Sequence, residues 1–320
     1  MLLQNEKGIL MFSEYNQMIQ NIDELIGFLK SLDIEAALRS YLERDYLLAN
    51  QYVENYNNNL NNDSNTDGRV ALIGLYELYK WIWSIKESKD FNILIPHLKM
   101  LSESAIRINS STDMYNPVTK KQDDSTNKLI ETIVAMFAIK IGSNVDLDDP
   151  VKSSAGLNPD IMFDYSGKKI AIACKTLTSD KPKTLFDNIK SAIKQIDRSS
   201  CDIGYIAINA MNILPHNKID SNIYSDIETP MNLLRGDLLK NTDIIRSEFN
   251  LEIDEIFSTS KARPSIIFFI HGNTRLKNSL LGNISTILKG TYVDNISSKI
   301  NINQDIDFLS KINEFIHNRL

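Results

Sequence analysis

NPDIMFDYSGKKIAIACK, the stretch from Asn158 to Lys175, decides the fold of this 320-residue chain. It predicts a β-hairpin in which Asn158–Tyr165 is the first strand, Ser166-Gly167 forms the turn, and Lys169–Lys175 is the second strand. Because the second strand runs back along the first, the start of one strand and the end of the other meet at the open end of the hairpin.

One aspartate and one lysine are expected to meet at this open end. Side chains alternate between the two faces of a strand, so Asp160 shares a face with Met162, and Ala173 shares a face with Lys175. The antiparallel return of the chain places Asp160 beside Ala173 and Lys175. A methyl group therefore stands between them, where a second acid would be expected.

The arrangement resembles the motif of the PD-(D/E)xK nuclease superfamily, which includes restriction endonucleases and many DNA-repair and phage-defence nucleases. Pro159-Asp160 is followed by twelve residues and then by Ala173-Cys174-Lys175. The family pattern is Pro-Asp, a spacer, and then Asp or Glu, any residue and Lys, on two adjacent strands. The resemblance covers about Ser125–Asn209 and implies an α/β fold with a restriction-endonuclease-like mixed sheet flanked by helices.

The resemblance also implies a role for each residue of the motif. Asp160 corresponds to the central ligand of a Mg²⁺ ion, for which Mn²⁺ is an alternative. Glu131, in a predicted helix over Asn127–Ile141, corresponds to the further carboxylate that a preceding helix often supplies. Lys175 corresponds to the lysine that orients or deprotonates the attacking water, and Ala173 occupies the position of the second acidic ligand.

Ala173 is a serious departure from the family pattern. Without a carboxylate at this position the site loses one negative charge and two oxygen ligands, so we expect weak Mg²⁺ binding and weak or absent cleavage. Asp164 cannot replace the missing acid, because four residues along a strand span roughly 13 Å towards the turn. The alanine is either a Glu→Ala substitution that disables an enzyme, which we favour, or the mark of a natural pseudo-nuclease.

A basic stripe on the next predicted helix, Pro182–Asp197, favours a nucleic-acid groove. Lys190, Lys194 and Arg198 recur every four residues and therefore lie along one side of the helix. Gln195 lies next to them, and related nucleases often carry Gln or Lys there, near the site. We predict that these residues contact phosphates without reading the base sequence. A solvated helix face is the alternative interpretation.

The composition is that of a globular protein and limits the partners. The formal net charge of −6 argues against a large nonspecific DNA-binding surface, but it leaves room for a local basic groove. No apolar run reaches the ~18 residues of a membrane span, and the N-terminus does not have the pattern of a secretory signal. Cys174 and Cys201 lack metal-ligand spacing. We therefore expect a cytoplasmic protein with reduced thiols and no membrane partner.

Changes along the chain predict two domains. We expect residues 1–110 to form a helical N-terminal domain that contacts DNA, a partner or a second copy of the chain. Residues 111–124 are expected to form a linker, and residues 125–320 the nuclease-like domain. An acidic loop with Asp146, Asp148 and Asp149 is expected before the hairpin. Helices are further predicted over Tyr15–Leu29, Leu32–Tyr56 (with Asp33 as its cap), Val70–Ser88, Asn92–Ile108, Met231–Phe249 and from Gln304 to Leu320, and strands over Asp202–Asn209 and Pro264–His271.

The function predicted from these features is that of a Mg²⁺-dependent DNA endonuclease with a disabled site. The resemblance implies a role in bacterial restriction or anti-phage defence. It also implies that the chain forms a homodimer or binds a partner subunit. Two alternatives stay open: a degenerate nuclease domain that binds DNA or a partner without cutting, and a structural helical adaptor whose α/β domain only resembles a nuclease. No catalytic role is assigned to the scattered histidines His97, His216, His271 and His317.

Overall fold

A computed structural model describes residues 2–36, 38, 40–58, 66–103, 124–150, 158–278, 282–297 and 305–320. Within these ranges the helices are α1 (Leu2–Ser31), α2 (Tyr41–Asn57), α3 (Thr66–Ile85), α4 (Ile95–Glu103), α5 (Asp124–Ile141), α6 (Pro182–Arg198), α7 (His216–Asp220), α8 (Glu228–Glu248), α9 (Asn250–Thr259) and α10 (Ile306–Ile316). The strands are β1 (Ser143–Leu147), β2 (Ile161–Tyr165), β3 (Lys168–Thr176), β4 (Ile203–Asn209), β5 (Ile223–Tyr224), β6 (Ala262–Asn278) and β7 (Gly282–Asn295).

The described strands form one mixed sheet. They are hydrogen-bonded in the order β1-β2-β3-β4-β6-β5, and β7 pairs with β6. The pairs β1–β2, β2–β3 and β6–β7 are antiparallel, whereas β3–β4, β4–β6 and β5–β6 are parallel. Parallel neighbours require a crossover connection, and α6 supplies the one between β3 and β4. The predicted α/β class with a mixed sheet flanked by helices is confirmed.

The predicted hairpin is formed by β2 and β3. Tyr165 pairs with Lys168, so the loop consists of two residues, Ser166 and Gly167, with φ of 49° and 75°. Positive φ at both positions is typical of a type I′ turn, whose twist matches that of the flanking strands. β2 begins at Ile161, later than predicted, because the proline before it has no N–H to donate to the sheet.

The two faces of the sheet pack against different helices. Along β3, Ile172 and Cys174 belong to a core with buried side chains of α1 to α5 and α10. Ala171 and Ala173 belong to a second core with buried side chains of α6, α7, α8 and α9. The alternation of side chains along one strand thus divides the hydrophobic core into two layers.

The N-terminal helices share the first core with the sheet. Leu75 of α3, Ile133 of α5 and Phe269 of β6 lie in one continuous cluster of buried side chains. The helical character of the N-terminal region is confirmed. The linker expected over 111–124 lies outside the described residues except for Asp124, the first residue of α5, and the division into two domains stays a prediction.

Several later elements lie where the sequence predicts them. The helix expected over Pro182–Asp197 is α6, the one over Met231–Phe249 is α8, and the strand over Asp202–Asn209 is β4. None of the helices within the described ranges is long and apolar enough to cross a membrane.

Other expectations were wrong. The helix predicted over Leu32–Tyr56 is interrupted: Asp33 has a φ of 57°, and Ser40 caps α2 instead by accepting a hydrogen bond from the backbone N–H of Glu43 at 3.2 Å. The predicted acidic loop begins within β1, which includes Asp146. β6 continues beyond the expected strand, because the unpredicted β7 pairs with it as far as its last residues.

Gly204 of β4 provides a test of how α6 packs on the sheet. A Cβ at this position would overlap the side chain of Ile196, which is fully buried in α6. We expect Gly204→Ala to displace α6 and lower the free energy of unfolding by about 1–3 kcal/mol. Gly236→Ala in α8, where nothing lies within 4 Å of the added atom, is the control and should raise stability by about 0.5–1 kcal/mol. Urea unfolding followed by circular dichroism measures both, and a Gly204→Ala variant as stable as the parent would contradict this packing.

Candidate active site

The open end of the β2–β3 hairpin brings Asp160 to the end of β3. Ile161 pairs with Ile172, and one further step along the same register places Asp160 opposite Ala173. Asp160 Oδ2 accepts a hydrogen bond from the backbone N–H of Cys174 at 2.6 Å. The carboxyl group is thereby held against β3, and the residue is only 8% exposed.

Lys175 reaches from β3 to α6. Its Nζ donates to Oε1 of Gln195, and Gln195 Nε2 donates to the carbonyl oxygen of Asn158 at 2.9 Å. Gln195, which the sequence placed beside the basic stripe and near the site, is buried at 3% exposure and lies inside the site. Its amide connects the lysine to the segment just before Asp160.

Glu131 approaches from α5, on the other face of the sheet. Its Oε1 lies 2.8 Å from Nε2 of His97 in α4, and its Oε2 accepts a hydrogen bond from Nζ of Lys128 at 2.6 Å. A carboxylate oxygen can only accept, so His97 Nε2 carries the proton in this pair. Both oxygens of Glu131 are engaged, and the residue is 2% exposed.

The carboxyl groups of Asp160 and Glu131 are electrostatically coupled. Burial raises the pKa of Asp160 to about 7, with a further contribution from the Glu131 carboxylate, against the lowering effects of Lys175, the Cys174 N–H and Lys128. Burial lowers the pKa of Lys128, but Glu131 and Asp160 outweigh it and raise that pKa overall. The predicted residues Asp160, Glu131 and Lys175 thus lie in one cluster.

Cys174 lies within this cluster as an inert group. Burial raises the pKa of its thiol well above the usual range, and the carboxylates of Asp160 and Glu131 raise it further. A thiol that stays protonated is a poor nucleophile. Cys174 and Cys201 are both free, as the sequence predicted, and both are buried.

The basic stripe of α6 is partly neutralised by its neighbours. Lys190 forms an ion pair with Glu252 of α9, and its ammonium group lies 5.3 Å from the ring centre of Phe186. Lys194 and Arg198 are exposed. Among the basic residues of the stripe, Lys194 therefore has the most direct access to a phosphate group.

Arg198 lines a cleft of about 380 Å³ that opens beside Asn158 and Pro159. The same cleft is lined by Asp146, Asp148 and Asp149. This acidic wall reduces the attraction of Arg198 for a phosphate group, because like charges of the wall and the phosphate repel each other.

The side chains at the hairpin end do not complete a metal site. Within the described ranges, no group of three or more His, Cys, Asp or Glu side chains is placed to hold a metal ion. Asp160 and Glu131 supply two carboxylates, and both oxygens of Glu131 are engaged by His97 and Lys128. Mg²⁺ prefers oxygen ligands, and Ala173 offers none. The chain as it stands therefore does not fit the magnesium site that the sequence motif implies.

Two partners of Glu131 were not predicted from the sequence. Lys128 lies three residues earlier on the same helix, a spacing that brings side chains together and would have indicated the pair. His97 lies 34 residues away on another helix. No local pattern connects it with Glu131, since the contact depends on how α4 packs against α5.

Protein-family models, curated proteins and solved structures gave no match to this chain. The resemblance to the PD-(D/E)xK superfamily accordingly depends on the motif residues Pro159-Asp160 and Ala173-Cys174-Lys175.

We predict that Asp160→Asn stabilises the protein at alkaline pH. The folded-state pKa of about 7 lies above the ordinary value of 3.8, so the folded chain binds more protons than the unfolded chain between these values. Stability therefore falls as the pH rises through this window, and the penalty is complete above pH 7. Asparagine removes the charge but keeps an oxygen for the Cys174 N–H. The gain should reach at most roughly 4 kcal/mol at pH 8 and shrink as the pH falls towards 4.

Urea unfolding of the parent and the variant from pH 5 to pH 8 measures this dependence. Asp180→Asn, at an exposed position, is the matched control and should show no such trend. A stability difference that stays constant with pH would contradict a buried, charge-coupled Asp160.

Proposed function

We propose that this chain is a PD-(D/E)xK-type nuclease with a restriction-endonuclease-like fold, whose intact form is a Mg²⁺-dependent DNA endonuclease. In this chain, Ala173 disables the site. The observation that carries the proposal is the convergence of Asp160, Lys175, Glu131 and Gln195 at the open end of one hairpin. Asp160 directly precedes β2, Lys175 lies in β3, Glu131 in α5 and Gln195 in α6, and these are the elements on which the motif of the superfamily depends.

The geometry of the hairpin end suits phosphodiester chemistry. Lys175 is held by Gln195, so its ammonium group is positioned beside Asp160, where it can bind a phosphate oxygen or orient a water molecule. Asp160, with a pKa of about 7, can take up a proton near neutral pH. A divalent cation, if a complete set of ligands held it here, would neutralise phosphate charge and lower the pKa of a bound water molecule.

A carboxylate at position 173 would complete the set of acids. Residues 173 and 175 share a face of β3 by alternation, so a glutamate at 173 would extend on the side of Lys175. Glu131 already raises the pKa of Asp160. A third carboxylate would therefore repel the other two in the absence of a cation, whereas a bound cation would stabilise all three.

We predict that Ala173→Glu restores metal-dependent cleavage of plasmid DNA. The new carboxylate supplies the missing ligand, and we expect nicking to increase by about tenfold or more in Mg²⁺ or Mn²⁺ and to stop in EDTA. Mg²⁺ should also raise the Tm of this variant. Ala173→Gln has the same size without the charge and should show neither effect.

The results would also separate the nuclease from its rivals. Absence of cleavage and of a Tm response to metal in Ala173→Glu would contradict the nuclease proposal. Ala173 itself favours a second candidate, a degenerate domain that binds DNA or a partner without cutting, and this candidate gains support if both variants bind the plasmid and leave it intact. If neither the chain as given nor its variants bind DNA, the result would instead favour a structural adaptor.

DNA binding is tested separately from cleavage through α6. Lys194 is exposed, whereas Lys190 is engaged by Glu252. We predict that Lys194→Glu lowers DNA affinity and reduces the slope of log K against log salt concentration by about one, the value expected for one lost phosphate contact. Lys240→Glu, an exposed lysine of α8, is the matched control. Fluorescence anisotropy with a duplex at several salt concentrations measures this, and an unchanged slope would contradict the groove.

The biological setting follows from the resemblance. We place the activity in bacterial restriction or anti-phage defence, with a second copy of the chain or a partner subunit. Two copies would allow two sites to cut the two strands of a duplex.

A further inference from the structure

A cavity of about 690 Å³ lies beside β7. Its walls come from α3, α8, α10, β6 and β7, and its volume falls within the about 300–1,000 Å³ that small-molecule sites span. In the strand order, β4 and β6 separate β7 from the β2–β3 hairpin. Glu131, Asp160, Lys175 and Gln195 do not line it, so the cavity is distinct from the candidate active site.

Part of the lining of the cavity is apolar. Ile227 and Met231 lie at the start of α8, Ile270 comes from β6, and Ile287 and Tyr292 come from β7. Ile227 is 49% exposed, so a ligand that covers it would remove apolar surface from water. The ring of Tyr292 offers a flat surface for a heterocycle.

The lining of the cavity also carries an excess of basic side chains. Four lysines and arginines line it, against two acids: Lys80, Arg235, Lys289 and Arg319, with Glu77 and Glu228. Glu77 is already engaged, since it accepts hydrogen bonds from Lys80 and, at 2.7 Å, from Lys289. A local excess of positive charge remains in a protein whose net charge is −6.

Two arginines of this cavity are available for a ligand. Arg235 of α8 and Arg319, beyond the end of α10, are both exposed, and neither forms an ion pair with any residue in the described part of the chain. Guanidinium groups donate paired hydrogen bonds in a geometry that matches phosphate oxygens.

Neighbouring groups respond to this excess of positive charge. Burial lowers the pKa of Lys289. The Glu77 carboxylate partly offsets this effect, and the ammonium group of Lys80 lowers the pKa further. Burial also lowers the pKa of His317, with further lowering by Lys289 and Arg319. A bound anion would relieve the repulsion between these groups.

We propose that this cavity binds a nucleotide, with the heterocycle against the apolar lining residues and the phosphates bound by Arg235, Arg319 and Lys289. The two arginines and the lysine together account for recognition of a phosphate. The apolar lining residues account for recognition of a ring rather than of bare inorganic phosphate. The site lies on elements outside the hairpin, so the inference stands apart from the proposed nuclease activity.

Isothermal titration calorimetry and thermal unfolding of the full chain test this proposal. The probes are ATP, GTP, CTP and UTP in EDTA, together with inorganic triphosphate and the corresponding nucleosides. We expect at least one nucleotide to bind, to raise the Tm, and to bind more tightly than either of its halves. Arg235→Ala combined with Arg319→Ala should lower the affinity at least about tenfold. Lys240→Ala, on α8 but outside the cavity, should leave it unchanged.

A variant of the candidate active site separates the two proposals. Asp160→Asn combined with Lys175→Ala should bind the nucleotide as the parent does, even if no DNA is ever cleaved. The inference would be overturned if none of the four nucleotides bound, if triphosphate alone bound as tightly, if the double arginine variant bound like the parent, or if the active-site variant lost binding.

Discussion

The hydrogen bond from the backbone N–H of Cys174 to the Asp160 carboxylate joins the start of β2 to the end of β3. A buried carboxylate is costly unless polar groups surround it. Here the N–H and the ammonium groups of Lys175 and Lys128 offset part of that cost, and the pKa of about 7 shows that the compensation is partial. The polar and basic residues around the hairpin end therefore lower the energetic cost of burying this carboxylate.

The position of Asp160 also explains how both faces of the sheet contribute to one site. Each side chain of a regular strand lies on one face of the sheet or the other, and the sheet separates Glu131 on α5 from Gln195 on α6. Asp160 precedes β2, outside the regular strand, and the sheet ends there. Groups from the two helical layers can therefore approach each other only at this end, where Lys175 contacts Gln195 and Asp160 is coupled to Glu131.

Features governed by local sequence were predictable, and features governed by packing were not. The Ser166-Gly167 turn and the alternation along β3 follow from residues close in sequence, and so does the helix that carries Glu131. The strand β7 has few apolar residues among many polar ones, and its pairing depends on β6 rather than on its own pattern. Gln195 was expected next to the basic stripe and near the site, but its burial was not predictable, because spacing shows which residues share a side of a helix and not which side faces the sheet.

The balance of charge around Ala173 limits the cost of burying the hairpin end. Asp160 and Glu131 are accompanied by the ammonium groups of Lys175 and Lys128, so two negative groups face two positive ones. The opposite charges offset part of the desolvation penalty of burying these groups. A third carboxylate would leave a net negative charge in a site of low dielectric, where the pKa of Asp160 is already raised. The alanine therefore decides whether this end of the hairpin is a nearly neutral part of the core or an acidic site that depends on a metal ion.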